Sequence, residues 1–228
     1  MTVTDNYLTL RSHIDEIANR CGRDSNEITL VSVSKRFPWN HAQPAYDAGC
    51  KVFGENNVQE ALDKMLIAPE DVEWHLIGSL QRKKVNKVVG KFSLIHSVDS
   101  VALAEKIALR SKDLGVTTHI LLQVNVSGEE SKHGFTEMDL FDNLEYLKGL
   151  NGVSIDGLMT MAPFTDDSTI IRQSFKGLRV CLEKANALLP EGLRMNQLSM
   201  GMSHDYAIAI EEGATLLRIG SAIFGERK

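Results

Sequence analysis

The feature that most limits the fold is an eightfold alternation of short apolar runs with longer amphipathic stretches. The apolar runs fall at residues 28–35, 51–53, 73–77, 92–96, 119–126, 153–159, 195–199 and 215–219. Short β-branched runs bounded by turn residues read as strands buried on both faces of a parallel sheet. Helical spacing predicts helices over 39–47, 58–66, 79–89, 100–113, within 136–148, over 165–189 and over 205–212, with a last turn in 221–226. Ser79 and the segment 97–99 read as helix caps. Strand–helix repetition with short connections implies parallel pairing and right-handed crossovers. Eight such units in 228 residues predict a single (β/α)8 barrel of the TIM type. The rival, an open doubly wound sheet, wants a glycine-rich turn after its first strand, and Ser34-Lys35-Arg36-Phe37-Pro38 is not one. An extra helix at 7–20, with Leu8, Leu10, Ile14 and Ile17 at helical spacing and Gly22 as its stop, precedes the first strand and is expected to cover the barrel's lower face.

Nothing in the composition divides the chain, so one domain over 1–228 is expected. The net charge of -5 offers no basic footprint for nucleic acid. No apolar run is long enough to cross a bilayer, and Met1 to Asn6 lack the basic and apolar regions of a secretory signal. Cys21, Cys50 and Cys181 are odd in number and widely spaced, which fits neither a metal site nor a disulfide framework. A reducing cytoplasm is the expected setting.

Barrels of this type place their chemistry in the loops after the strands. Those positions hold Lys35, Glu55-Asn56-Asn57, His75 with Gly78, His96, Asn125 with Ser127, Met159, Ser199 to Ser203, and Arg218 with Gly220 and Ser221. A lysine at a strand end can be partly desolvated, lose its proton and attack a carbonyl carbon. It can equally mark only where the strand leaves the core. His75 and His96 read as ligand contacts or as satisfied core-edge histidines. Glu55 and its asparagines read as site residues or as turn formers and caps. Leu198-Ser199-Met200-Gly201-Met202-Ser203 and Arg218-Ile219-Gly220-Ser221 follow the last two strands, the usual phosphate site of such barrels. Glycine and backbone N–H groups there favour a dianion. An amine opposite a phosphate site points to a phosphate-bearing aldehyde, and pyridoxal 5′-phosphate (PLP) joins both groups in one molecule.

Several motifs recur in order: Val33-Ser34-Lys35, Phe53-Gly54-Glu55-Asn56, Trp74-His75-Leu76-Ile77-Gly78-Ser79-Leu80-Gln81, Ser131-Lys132-His133-Gly134, Gly157-Leu158-Met159, Leu198 to Ser203, and Leu217-Arg218-Ile219-Gly220 with Ile223-Phe224-Gly225. On these the chain resembles the pyridoxal-phosphate homeostasis protein family, single-domain relatives of the alanine racemase barrel (PLP fold type III), over nearly its whole length. One departure is Arg82-Lys83-Lys84, where an asparagine–lysine pair usually follows the glutamine.

The resemblance implies that Lys35 holds PLP as a Schiff base, that Ser203, Gly220 and Ser221 hold the phosphate, and that Arg218 faces the pyridine nitrogen. Ser199, Gly201 and Met202 would shape the same cup, with Asn56 and His75 beside the ring. It implies a protein that buffers or delivers PLP, with PLP-dependent apoenzymes as candidate recipients and no robust turnover; a cytoplasmic monomer is expected, although the sequence itself leaves the oligomeric state open. The runner-up is a PLP-dependent amino-acid racemase. Racemisation needs acid/base groups on both faces of the α-carbon. Tyr7, Tyr46, Tyr146 and Tyr206 lie in predicted helices, away from the strand ends, and the chain runs only a little beyond the last strand. A third reading is a Schiff-base aldolase without cofactor.

Overall fold

A computed structural model describes residues 1–126 and 133–226. Its eight strands are β1 (Thr29–Val33), β2 (Val52–Glu55), β3 (Glu73–Leu76), β4 (Leu94–Val98), β5 (Thr118–Gln123), β6 (Val153–Met159), β7 (Gln197–Ser199) and β8 (Leu216–Ile219). They pair in parallel in chain order, and β8 pairs back onto β1, closing the barrel. Around them run α1 (Val3–Arg20), α2 (Trp39–Asp47), α3 (Val58–Met65), α4 (Val85–Val88), α5 (Val101–Leu114), α6 (Glu137–Lys148), α7 (Ser168–Leu188), α8 (Tyr206–Glu211) and α9 (Ser221–Phe224). The chain therefore forms the expected (β/α)8 barrel with an extra N-terminal helix.

Three local expectations are corrected. The helix expected over 79–89 shrinks to a 3-10 turn at Arg82–Lys84 followed by α4. Leu80 is buried in the core, which holds the chain extended where Ser79 would have capped a helix. Ser97 is no cap either. It lies inside β4, buried, and its hydroxyl donates to the Gly78 carbonyl at 2.7 Å. Finally, α1 buries Tyr7, Leu10, Ile14, Ile17 and Ala18 while Leu8 stays exposed. Its stripe meets α2, α8 and α9, so it joins the outer helical layer where the first and last units meet instead of covering the lower face. Asn6 secures it, donating to the Ile223 carbonyl at 3.0 Å.

Side chains alternate across each strand, so the barrel has two cores. The outer one fills the space between strands and helices, with Trp39, Phe53 and Trp74 in mutual ring contact. The inner one is a small apolar cluster of Val31, Leu94, Leu121, Met159 and Leu216. Two residues further along β4 and β8 the interior turns polar, with His96 and Arg218 joined there by His75 and Ser199, all buried. Arg218 donates to the Ser199 hydroxyl and, at 2.8 Å, to the Thr160 carbonyl. His96 lies 2.8 Å from Ser199 Oγ through Nδ1 and 3.0 Å from His75 Nδ1 through Nε2.

A guanidinium only donates, so Ser199 accepts from it and donates its own hydroxyl hydrogen bond to His96 Nδ1. His96 then carries its hydrogen on Nε2 and donates to His75, a tautomer assigned from the hydrogen-bond pattern. Burial pushes the His75 imidazolium down to about 4 and that of His96 well below the usual range, helped there by His75 and Arg218. Both rings are thus neutral at pH 7. Their folded affinity for protons is depressed, so the unfolded chain binds more protons once the pH drops below the ordinary histidine value of about 6.5. Stability is complete above that value and declines as pH falls toward 4. Unfolding free energy measured by denaturant at pH 7 and pH 5 is expected to be lower at pH 5. His75→Gln is expected to flatten the profile; an unchanged slope in that variant would show that other groups govern it.

Gly157 makes a second stability test. A Cβ there would lie 1.9 Å from the Gln197 carbonyl oxygen on the neighbouring strand. Backbone cannot yield as a flexible side chain does, so Gly157→Ala is expected to cost about 3 kcal/mol, at the upper end of overpacking penalties. Chemical denaturation checks this, and a loss under about 1 kcal/mol would mean the β6–β7 pairing relaxes freely.

Candidate functional site

A cavity of about 320 Å3 opens at the carboxyl ends of the strands. Lys35, just beyond β1, and Asn56, just beyond β2, form one side. Ser203, Gly220 and Ser221, from the loops after β7 and β8, form another. Val33, Ile77 and buried Arg218 line the interior, and Met161, Met202, His204 and Phe164 complete the lining. Phe164 is almost fully exposed, edge-on to the His204 ring at 5.4 Å.

The loops after β7 and β8 are tied together. Arg218 N–H donates to the Gly201 carbonyl at 3.0 Å, and Ala222 N–H reaches Ser203 Oγ at 3.4 Å. Gly201 has φ +94°, and a Cβ there would lie 2.6 Å from Ala209 Cβ. Only glycine satisfies both the left-handed backbone and the close approach. Buried Asp205 accepts Met202 N–H at 2.5 Å through Oδ1 and so fixes the loop that carries Ser203.

Lys35 sits in a turn gripped from behind. Glu55 is fully buried; its Oε1 accepts from Ser34 Oγ at 2.6 Å and from Lys64 Nζ at 2.5 Å. Lys64 also donates to the Ser34 carbonyl at 2.8 Å and to Glu60 Oε1 at 3.0 Å. Glu60 in turn accepts Arg36 N–H. Burial pushes the Glu55 carboxyl up, and the Lys64 charge opposes that shift. Arg36 lines a separate groove with Phe37, Glu60 and Asp63, none of which lines the cavity.

Seven of the ten residues expected at the site therefore line one cavity: Lys35, Asn56, Met202, Ser203, Arg218, Gly220 and Ser221. His75, Ser199 and Gly201 do not; the first two support Arg218 from within the barrel, directly or through His96, and the third accepts its backbone N–H. Asn125 lines a smaller adjoining cavity with Gln123, Thr160 and Met161. Ser127, Ser131 and Lys132 lie outside the described residues. Glu55 is neither turn former nor cap but half of a buried ion pair. Lys64 escaped the sequence reading because Glu60 and Lys64 at i, i+4 look like a solvated helix pair. His204 and Phe164 carried no signal beyond lying in loops after strands. A larger polar cavity of about 440 Å3, among Lys148, Asp156 and Arg194, opens at the amino ends of β6 and β7 and shares nothing with these groups.

The described lining has one amine, one guanidinium, two serine hydroxyls and an imidazole, and no carboxylate. Burial pulls the Arg218 guanidinium down to about 10, which still leaves it charged at neutral pH. A Cβ at Gly220 would come within 3.1 Å of the Val33 carbonyl oxygen, so the cup closes tightly there. The donor set fits an anion that also carries a group reactive toward an amine.

Comparison with known proteins agrees with this geometry. Residues 8–228 match the family model described as the alanine racemase N-terminal domain. The chain is 40% identical to the pyridoxal phosphate homeostasis protein of Aquifex aeolicus over 233 residues, covering 100% of each. It is 37% identical to the protein of the same name in Pseudomonas aeruginosa, over 99% of this chain and 96% of that one. The solved structure of PipY from Synechococcus elongatus with PLP bound superposes with a TM-score of 0.87 at 36% identity, over 98% of this chain and 100% of that one. Alanine racemase of Clostridium difficile gives a TM-score of 0.76 at 14% identity, with 57% of its length covered, and so shares the fold. A closed parallel barrel with these strand-end groups, matched along its whole length, belongs to the pyridoxal phosphate homeostasis protein family.

Proposed function

We propose that this chain binds PLP in the strand-end cavity, holds it by a Schiff base on Lys35, and serves intracellular PLP homeostasis. The observation that carries this reading is the lining itself. An amine and a hydroxyl-and-glycine cup face one space that holds a buried guanidinium and, among the described residues, no carboxylate. Ser203, Gly220 and Ser221 would hold the phosphate, and Lys35 the aldehyde carbon. Arg218 would face the pyridine nitrogen, kept in place by Ser199 and Thr160. Asn56 and Met202 would flank the ring, with His75, Ser199 and Gly201 acting through Arg218 and its loop. Bound PLP supplies an aldehyde that condenses reversibly with amines and a ring that withdraws electrons.

The reading extends to a cytoplasmic, monomeric, single-domain protein that passes PLP to dependent apoenzymes. All three cysteines are free, as a reducing compartment would keep them. Among the described residues no helix is long and apolar enough to cross a membrane.

The alternative is amino-acid racemisation. It needs a second acid/base group across from Lys35, and none of the four tyrosines lines the cavity. Tyr206 instead bonds His13 at 2.7 Å. Arg218 also argues against strong carbanion chemistry. A guanidinium facing the ring nitrogen donates to it and leaves it unprotonated, which weakens the electron sink.

Two measurements decide. Borohydride is expected to fix PLP irreversibly on Lys35, located by mass mapping, and Lys35→Ala is expected to lose the Schiff-base absorbance while keeping the fold. A stable adduct on another lysine would defeat the assignment. Inversion of L-alanine is expected to stay near the rate of free PLP, whereas kcat of about 1 s-1 or more would establish the racemase.

A further inference from the structure

Lys35 occupies the second position of a tight turn. Phe37 N–H donates to the Ser34 carbonyl at 3.0 Å, and Arg36, the third residue, has φ 69°. A positive φ at that position is what a type II turn requires, and glycine or asparagine normally supplies it. Among the described residues Arg36 is the one non-glycine with positive φ. Such a conformation persists only where the surroundings over-determine it.

Here they do so on both sides of Lys35. Before it, the Ser34 carbonyl takes one Lys64 N–H and the Ser34 hydroxyl bonds Glu55. After it, Arg36 N–H is held by Glu60. Lys64 links the two sides, with its three N–H groups shared among Ser34, Glu55 and Glu60. An ammonium has three donors, so this node is saturated. None of Glu55, Glu60 or Lys64 lines the cavity.

We propose that Glu60 and Lys64 are positioning residues: they hold the turn in the one conformation that aims the Lys35 amine into the cavity. They thereby set how well the protein captures an aldehyde, independently of how well it binds a phosphate. The inference rests on the PLP reading above. In the covalent step the Lys35 nitrogen attacks the aldehyde carbon and a C=N bond replaces C=O. The carbonyl oxygen leaves as water with the two amine protons, and nothing is oxidised or reduced.

The test uses Glu60, whose side chain is 29% exposed, because emptying the Lys64 position would strand buried Glu55 and risk unfolding. Asn57, which caps α3, is untouched by Glu60→Ala. Two probes separate the steps: PLP, and pyridoxine 5′-phosphate, which has the same phosphate but an alcohol in place of the aldehyde. Glu60→Ala is expected to weaken PLP binding about tenfold through lost orientation of the amine, leaving pyridoxine 5′-phosphate within about twofold of wild type. Glu60→Gln keeps an acceptor oxygen for Arg36 N–H and is expected to restore most of the loss. Equal weakening of both probes, no change in either, or no rescue by glutamine would each overturn the proposal. A wild-type protein that binds neither probe would instead remove the PLP reading, and this inference with it.

Discussion

The pairing of β1 with β8 decides where the functional groups meet. Val31 lies opposite Arg218 and Ser32 opposite Ile219. The loop after β1 and the loop after β8 therefore leave the sheet side by side. Lys35 and the Gly220–Ser221 pair, far apart in sequence, become neighbours only through this closure. The same seam is braced outside by α1, which meets the helices of the first and last units and bonds the Ile223 carbonyl through Asn6. The extra N-terminal helix is thus a brace on the seam that carries the cavity, and barrel closure and site assembly are one structural event.

Inside the barrel the same closure places a polar layer above an apolar one. Burying a guanidinium and two imidazoles is costly unless their polar atoms are paired. The layer meets that cost by carrying a single charge. Arg218 stays protonated, both histidines are neutral, and Ser199 mediates between them. The order of donors and acceptors follows from Arg218, which has no acceptor to offer. One fixed donor propagates its direction through Ser199 and His96 to His75, so residues that never reach the cavity still determine how Arg218 faces it.

The barrel was legible because its signal is periodic and repeated eight times. Helix α2 and strand β6 fall where their apolar pattern ends, at Trp39–Asp47 and Val153–Met159. Failures came where tertiary contacts override local preference, as at Leu80, whose burial replaces a helix turn with extended chain, and Ser97, whose hydroxyl serves Gly78. Lys35, Ser203, Gly220 and Ser221 were legible as strand-end residues because the fold itself says where strand ends gather. Lys64 was not. Its partners Ser34 and Glu55 lie on β1 and β2 or just beyond them, and no local spacing records that a helix lysine points inward. His75 and His96 were legible as residues but not as a linked pair, since that depends on which strand faces point into the barrel.

The arrangement separates two kinds of holding. The cup formed by Ser203, Gly220 and Ser221 is built on the loops after β7 and β8, with Gly201 and Asp205 fixing the first of these. Lys35 is built on β1 and gripped through α3 by an ion pair that touches neither of those loops. On the proposed PLP reading, the hold on the phosphate and the hold on the aldehyde could therefore be tuned independently by changes in different parts of the chain. For a protein of PLP homeostasis this separation matters. If PLP binds as proposed, loss of its bond to Lys35 would leave the cup undisturbed, and the whole cofactor, phosphate included, could then leave. A catalyst gains most from coupling every contact to one transition state, whereas a reservoir gains from contacts that can be released one at a time, and the division between the Lys35 turn and the cup is of the second kind.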